Sequence, residues 1–206
     1  IRPSGNGFTG APIVAPDELN RQKGEISLND LEDMLSGFAY DACYNHSAQS
    51  MKNYFLVWDY AINQGFAFGS GMGTNHHYGY QIRKIYTTAW LMRDAIWKAP
   101  NRDNILSALI FWSALQETRI PYQYGRDELL DSWHTLLMPK TISALMFVDE
   151  RERARALTGL SRWLSGSLQY SPGTIGGIKV DGTTFHHGGF YPAYTTGVLA
   201  MVGQFI

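Results

Sequence analysis

The 206-residue sequence predicts an all-α chain built from paired antiparallel helices joined by long glycine-rich loops. Two observations carry that prediction. Apolar and aromatic residues recur at the i, i+3, i+4, i+7 spacing of a helix face, as in Ile82, Ile85, Tyr86, Ala89, Met92 and Ile96. Between such stretches lie segments dense in glycine with no helical period, above all 65–79 and 171–191. Short polar joints between the remaining helices suit antiparallel neighbours.

Residues 1–25 are rich in Gly, Pro and Asn and read as an irregular lead-in. Ser27, with Asp30 three positions on, reads as a capping box in which a short acid replaces the usual Glu, and it opens an amphipathic helix to about Tyr44. Ser47 caps a second helix over about 48–64, with Tyr54, Trp58, Ala61 and Ile62 on one stripe. A third runs from Ile82 until Pro100 stops it. Further helices are expected at 102–117, 126–146 and 149–169, with Pro139 starting or kinking a turn inside the middle one. Segment 171–191 is expected to be loop with one short strand at Ile178–Val180. Pro192 then suits the first turn of a last helix, where its missing N–H is no loss. The chain starts Ile1-Arg2-Pro3 and stops inside an apolar stretch at Phe205-Ile206, which reads as an excerpt of a longer protein.

Charge narrows the function classes. With 17 Lys and Arg against 18 Asp and Glu, the net charge of −1 gives no electrostatic warrant for a nucleic-acid binder or a binder of anionic membranes. No apolar run is long enough to span a bilayer. Cys43 stands alone, so an internal disulfide and a zinc site of several thiolates are both excluded.

Four of the six histidines come as two pairs, in "GTNHHYGY" at 73–80 and in "TTFHHGGFYPAY" at 183–194. In the second, Gly188 and Gly189 permit a sharp bend between His187 and Tyr194, so both side chains can face one cleft. Tyr194 falls in the first helical turn, where the helix dipole and a cationic histidine both favour phenolate. On regular backbone adjacent histidines point apart, so a His-His pair alone is a weak zinc signal. Asp181 is the only acid in this motif loop, and no second carboxylate is expected near either His pair, which disfavours a hydrolase with two flanking carboxylates.

Taken together, "GTNHHYGYQIRKIY" (73–86) and "GGIKVDGTTFHHGGFYPAY" (176–194) resemble the catalytic helical domain of polysaccharide lyase family 8, in its chondroitin ABC lyase branch. The motif-bearing match runs from about residue 70 to 206. The resemblance implies that residues 26–206 form part of an incomplete (α/α) toroid, a catalytic domain truncated at its C-terminus. It implies β-elimination at the uronic acid of chondroitin or dermatan sulfate, with hyaluronan as a further substrate. Tyr194 would be the acid, and the base for one epimer. His187 would assist as the other base or hold charge near the carboxylate, and His77 would be a second base for iduronate. Asn75, His76 and His186 would bind substrate.

No cofactor is required by the resemblance; a calcium or magnesium ion at His186 or the first pair is compatible with it. Trp133, His134, Tyr122, Tyr124, Arg83 and Arg126 are candidates for sugar stacking and sulfate binding, although a Trp at helical spacing reads first as core. The partners implied are an acidic glycosaminoglycan and the rest of the parent chain. That remainder would bring an arginine, a glutamate and β-sandwich domains, so the segment alone is expected to have little activity. The family setting implies a bacterial periplasmic or secreted protein. The competing readings are a non-catalytic helical module that binds acidic polysaccharide and a glycoside hydrolase on an (α/α) fold.

Overall fold

The computed structural model describes residues 1–5, 7–13, 26–124 and 128–205. They are mostly helical and divide into two compact units, Ile1–Trp112 and Ser113–Ile206. Among the described residues no helix is long and apolar enough to cross a membrane.

The first unit opens with an antiparallel hairpin, β1 (Arg2–Ser4) and β2 (Gly7–Thr9), inside the lead-in expected to be irregular. Residues 14–25 of that lead-in lie outside the described residues. Helix α1 (Leu28–Tyr44) begins with the expected capping box: Asp30 N–H donates to the Ser27 hydroxyl at 3.2 Å and Ser27 N–H donates to the Asp30 carboxylate at 2.7 Å. Ser47 caps α2 (Ala48–Asn63), accepting from Ser50 N–H at 3.2 Å. The connection is short and the helices pack together, which makes them a helical hairpin. Their shared core holds Leu31, Leu35, Ala39, Tyr54, Trp58 and Ala61, all at 0% exposure.

After a one-turn helix, α3 (Asn75–Tyr78), the helix expected from Ile82 to Pro100 is two, α4 (Arg83–Leu91) and α5 (Arg93–Lys98), broken at Met92. Just upstream, the Thr88 hydroxyl donates to the carbonyls of Lys84 (2.7 Å) and Ile85 (3.1 Å), a back-bonding pattern that bends helices. Helix α4 packs on α1 around Glu32, a buried carboxylate that accepts from Lys84 N–H at 2.5 Å. Burial pushes the Glu32 carboxyl above its ordinary range, against the opposing pull of the Lys84 amide and ammonium. Helix α6 (Arg102–Trp112) stops before the expected residue 117, because Ala114 adopts a left-handed φ of 53°.

The second unit continues with a 3-10 turn at Leu115–Arg119. The helix expected at 126–146 is seen from Leu129 as α7 (Leu129–Asp131), a π-helical turn at Ser132–Leu136, and α8 (Leu137–Leu145). Pro139 accounts for the wide turn: its ring crowds the carbonyl four residues back, at Thr135, and widening the turn relieves that contact. Helix α9 (Glu150–Ser167) is capped by Asp149, which accepts from Glu152 N–H at 2.9 Å. It packs on α8 and on the 3-10 turn. At Gly159 the two backbones come so near that an added Cβ would lie 2.8 Å from the Thr118 carbonyl oxygen.

Where a loop with one strand was expected, 171–191 carries a three-stranded antiparallel sheet in the order β3 (Gly177–Ile178), β4 (Thr184–His186), β5 (Gly189–Phe190). Lys179 fastens the preceding loop to it. Its ammonium donates to Ser171 Oγ (2.8 Å) and the Ile175 carbonyl (2.5 Å) while lying 4.7 Å over the Phe185 ring. The last helix, α10 (Pro192–Val202), starts on Pro192 as expected. Beneath these elements Leu130, Trp133, Leu137, Leu160, Trp163 and Val198 form the core.

Candidate active site

The second histidine pair is shaped by a tight hairpin. His186 pairs with Gly189 across β4 and β5, leaving His187 and Gly188 as a two-residue turn. Both have positive φ, 51° and 72°, the combination of the type I′ turn that follows the twist of a hairpin. Histidine is among the few side-chain-bearing residues that enter this region readily. Irregular backbone thus replaces the expected divergence of adjacent histidines: the two rings sit with centroids 3.8 Å apart. His187 is exposed at the tip, and His186 is buried at 4% exposure.

Three elements meet at His186. Its ring stacks on Tyr194 with centroids 5.3 Å apart and planes 15° off parallel, while Tyr191 meets it edge-on at 5.7 Å. Its Nε2 lies 3.4 Å from Asp131 Oδ2, and Asp131 Oδ1 accepts a hydrogen bond from the Tyr194 hydroxyl. Tyr194 is in the first turn of α10, and the Thr184 and Thr195 hydroxyls are hydrogen-bonded, tying β4 to that helix. From the π turn, His134 meets the Tyr194 ring edge-on at 5.6 Å.

The structure therefore brings together His186, His187 and Tyr194, and it adds Asp131, which the sequence reading missed. The expectation that no second carboxylate stands near either pair is corrected: Asp131 is 7% exposed and touches both His186 and Tyr194. It lies 63 residues before Tyr194, in a segment read only as apolar helix. The available signal was an acid set directly after Leu129-Leu130 and before Ser-Trp, where the helix period requires burial. The Tyr194 hydroxyl is a donor in this contact, whereas the sequence pointed to influences that favour phenolate. Asp181 serves its own turn instead. Its exposed carboxylate accepts from Thr183 N–H (3.0 Å) and Oγ1 (2.7 Å), and the Thr183 hydroxyl followed by its amide holds it below the ordinary range.

Asn75, His76 and His77 form a separate group in the first unit, on the one-turn helix α3 (Asn75–Tyr78). Asn75 Nδ2 donates to the Phe111 carbonyl at 2.5 Å, and His77 Nδ1 is 2.9 Å from Thr74 Oγ1. The His76 and His77 rings lie 4.3 Å apart. Among the sugar-stacking candidates, Trp133 is core: it is fully buried, with Nε1 donating to Ser167 Oγ at 2.9 Å. Tyr122 is half-buried and edge-on to Trp163 at 5.8 Å, whereas Tyr124 is exposed. Arg83 is the first residue of α4, and Arg126 lies outside the described residues.

Asp131, His186 and His187 can each offer one ligand atom within 4.8 Å of the others. Two imidazoles and one carboxylate do not match the oxygen-rich shells of calcium and magnesium, so those ions do not fit this cluster.

Comparison with known proteins fits the geometry. The family model described as "Lyase, catalytic" matches residues 2–206. A chondroitin sulfate ABC exolyase of Bacteroides thetaiotaomicron is 35% identical over 154 residues, 73% of this chain and 15% of the relative. A chondroitin sulfate ABC endolyase of Proteus vulgaris is 30% identical over 205 residues, covering 94% of this chain and 20% of the relative. An exolyase of Proteus vulgaris with the same substrate designation is 31% identical over 185 residues, 84% and 18% of the two chains. The chain thus spans a fifth or less of the curated relatives it matches. It belongs to the lyase catalytic-domain family, as a polysaccharide lyase sequence of the chondroitin sulfate ABC lyase type.

Proposed function

We propose that this chain is catalytic-domain sequence of a glycosaminoglycan lyase that cleaves chondroitin and dermatan sulfate, and hyaluronan as a further substrate, by β-elimination. The observation that carries the reading is the Tyr194 phenol at the start of α10, flanked by the His186 ring and bonded to Asp131. Elimination removes the C5 proton beside the uronate carboxylate and expels the C4 oxygen, so it needs a base, positive charge near the enediolate, and an acid.

Asp131 supports one division of these roles. The Tyr194 hydroxyl donates to Asp131 Oδ1, so in this arrangement the phenol carries its proton. That hydrogen bond supports Tyr194 as the acid that protonates the leaving oxygen. The exposed His187 is then the base for the epimer whose C5 proton faces it, and the buried His186 supplies charge and orientation. Asn75 and His76 are assigned to substrate binding, and His77 to deprotonating iduronate, on the family likeness alone.

In this reading the helices belong to an incomplete (α/α) toroid, in a periplasmic or secreted enzyme. Groups outside this segment complete the cleft, and the segment by itself turns substrate over weakly or not at all. Hydrolysis would need a pair of flanking carboxylates. Asp131 is committed to Tyr194 and His186, and Asp181 to Thr183, which does not supply that pair.

The test is the ultraviolet absorbance of unsaturated uronate after the full-length protein is mixed with each of the three polymers. Tyr194→Phe should abolish the rise while polymer binding persists. Reducing ends that accumulate without absorbance would mean hydrolysis, and binding without any cleavage would leave a binding module.

A further inference from the structure

We propose that Asp131, His186 and His187 form a binding site for a divalent transition cation of the zinc class. Three features of the second unit support it. The donor set is two imidazoles and one carboxylate, the mixture that zinc takes in open sites with water in the fourth position. The three ligand atoms already lie within 4.8 Å of one another. The site is also built: Asp131 and His186 are 7% and 4% exposed, one anchored in a helix that packs in the core and the other in the middle of a paired sheet.

His187 supplies both closure and access. Ligand atoms around a tetrahedral zinc are about 3.3 Å apart, as follows from bonds of roughly 2.0 Å. His186 Nε2 and Asp131 Oδ2 are already 3.4 Å apart, so the cluster has to contract by at most about 1.5 Å, and the exposed imidazole at the hairpin tip can do this by turning about its own side-chain bonds. The positive φ of 51° at His187 is what sets its ring beside that of His186. The exposed tip leaves the fourth position open to water.

Occupation has a chemical consequence. The ion takes the carboxylate that Tyr194 donates to and the lone pair of the imidazole assigned as base, so a bound zinc-class ion suppresses elimination. That consequence rests on the lyase reading; the binding itself does not.

Calorimetry on the full-length protein, stripped of metal, with zinc, calcium and magnesium titrated separately, tests the site without any turnover. The visible spectrum of the cobalt(II) form reports its geometry. Expected are one zinc per chain, tetrahedral cobalt bands, and no comparable heat from calcium or magnesium. Asp131→Asn and His187→Ala should each weaken zinc by at least about tenfold. The double variant His76→Ala/His77→Ala should bind as the wild type does, which separates this cluster from the other histidine pair.

Circular dichroism checks folding, and the exposed His187 gives the deciding variant should Asp131→Asn unfold. The proposal is overturned by absence of zinc binding, by affinity unchanged in His187→Ala, by loss in the His76/His77 variant alone, or by calcium or magnesium binding that depends on Asp131. In the full-length protein zinc should suppress turnover reversibly. Absence of turnover in zinc-free protein supplied with calcium or magnesium would refute the lyase reading and leave the binding result standing.

Discussion

Replacing Gly159 by Ala sets two effects of opposite sign against each other inside α9. Alanine in a helix interior is favoured over glycine by about 1 kcal/mol. The new Cβ, however, would stand 2.8 Å from the Thr118 carbonyl oxygen, where ordinary contact begins near 3.4 Å. The obstacle is backbone, and it is fixed, since Thr118 is 2% exposed and its hydroxyl bonds the Leu115 carbonyl at 2.8 Å. Helix α9 must then retreat by about 0.6 Å, the difference of those two distances, and carry Leu160 and Trp163 away from Trp133. Overpacking of this kind costs about 1–3 kcal/mol. The net expectation is destabilisation by about 1 kcal/mol, a fall of roughly 2–4 °C in Tm for a chain of this size. Gly37 in α1 is the internal control: nothing lies within 4 Å of its Cβ position, so Gly37→Ala should stabilise by several tenths of a kcal/mol. Thermal melts followed by circular dichroism and tryptophan fluorescence compare the two. A Gly159→Ala protein as stable as the wild type, or more so, would refute the close approach of α9 to the 3-10 turn.

Asp131→Asn keeps an acceptor for Tyr194 but loses its charge, so stability at neutral pH should fall by about 1–2 kcal/mol, the difference between charged and neutral hydrogen bonds. A urea titration without change would mean that Asp131 does not hold the phenol. For Glu32, burial raises the folded-state pKa above the ordinary 4.5, so its stabilising contribution is complete below that pH and is lost as pH rises through the raised value. Glu32→Gln removes this dependence. The Tm of wild type should therefore fall relative to the variant as pH is raised from below 4.5 toward neutrality, and parallel profiles would contradict the desolvation of Glu32.

Local chemistry was legible wherever one residue type had one physical task. Ser27 with Asp30, Ser47 and Pro192 marked helix starts that the structure reproduces, because caps and Pro at N1 act within a single turn. What escaped depends on backbone geometry that composition does not encode. The left-handed Ala114 ends α6 early, and the turn at His187 and Gly188 folds a glycine-rich loop into a sheet. The site was half legible. His186, His187 and Tyr194 share one short segment, so their meeting is a local event, whereas Asp131 arrives through tertiary packing and gave only the faint sign of an acid in an apolar run.

The wide turn at Ser132–Leu136 also bears on how this chain is compared with others. A π turn houses one residue more than the α-helix it interrupts, so it is an insertion that leaves the flanking helices in place. Against a relative whose helix is regular here, the alignment gap belongs inside 132–136 and nowhere else along 129–145. Excising one of those residues would rotate everything on one side of the cut by about 100°. Leu137 would then leave the face it shares with Trp133 while Asp131 holds Tyr194, so the spare residue is what lets one segment satisfy both packing and that hydrogen bond.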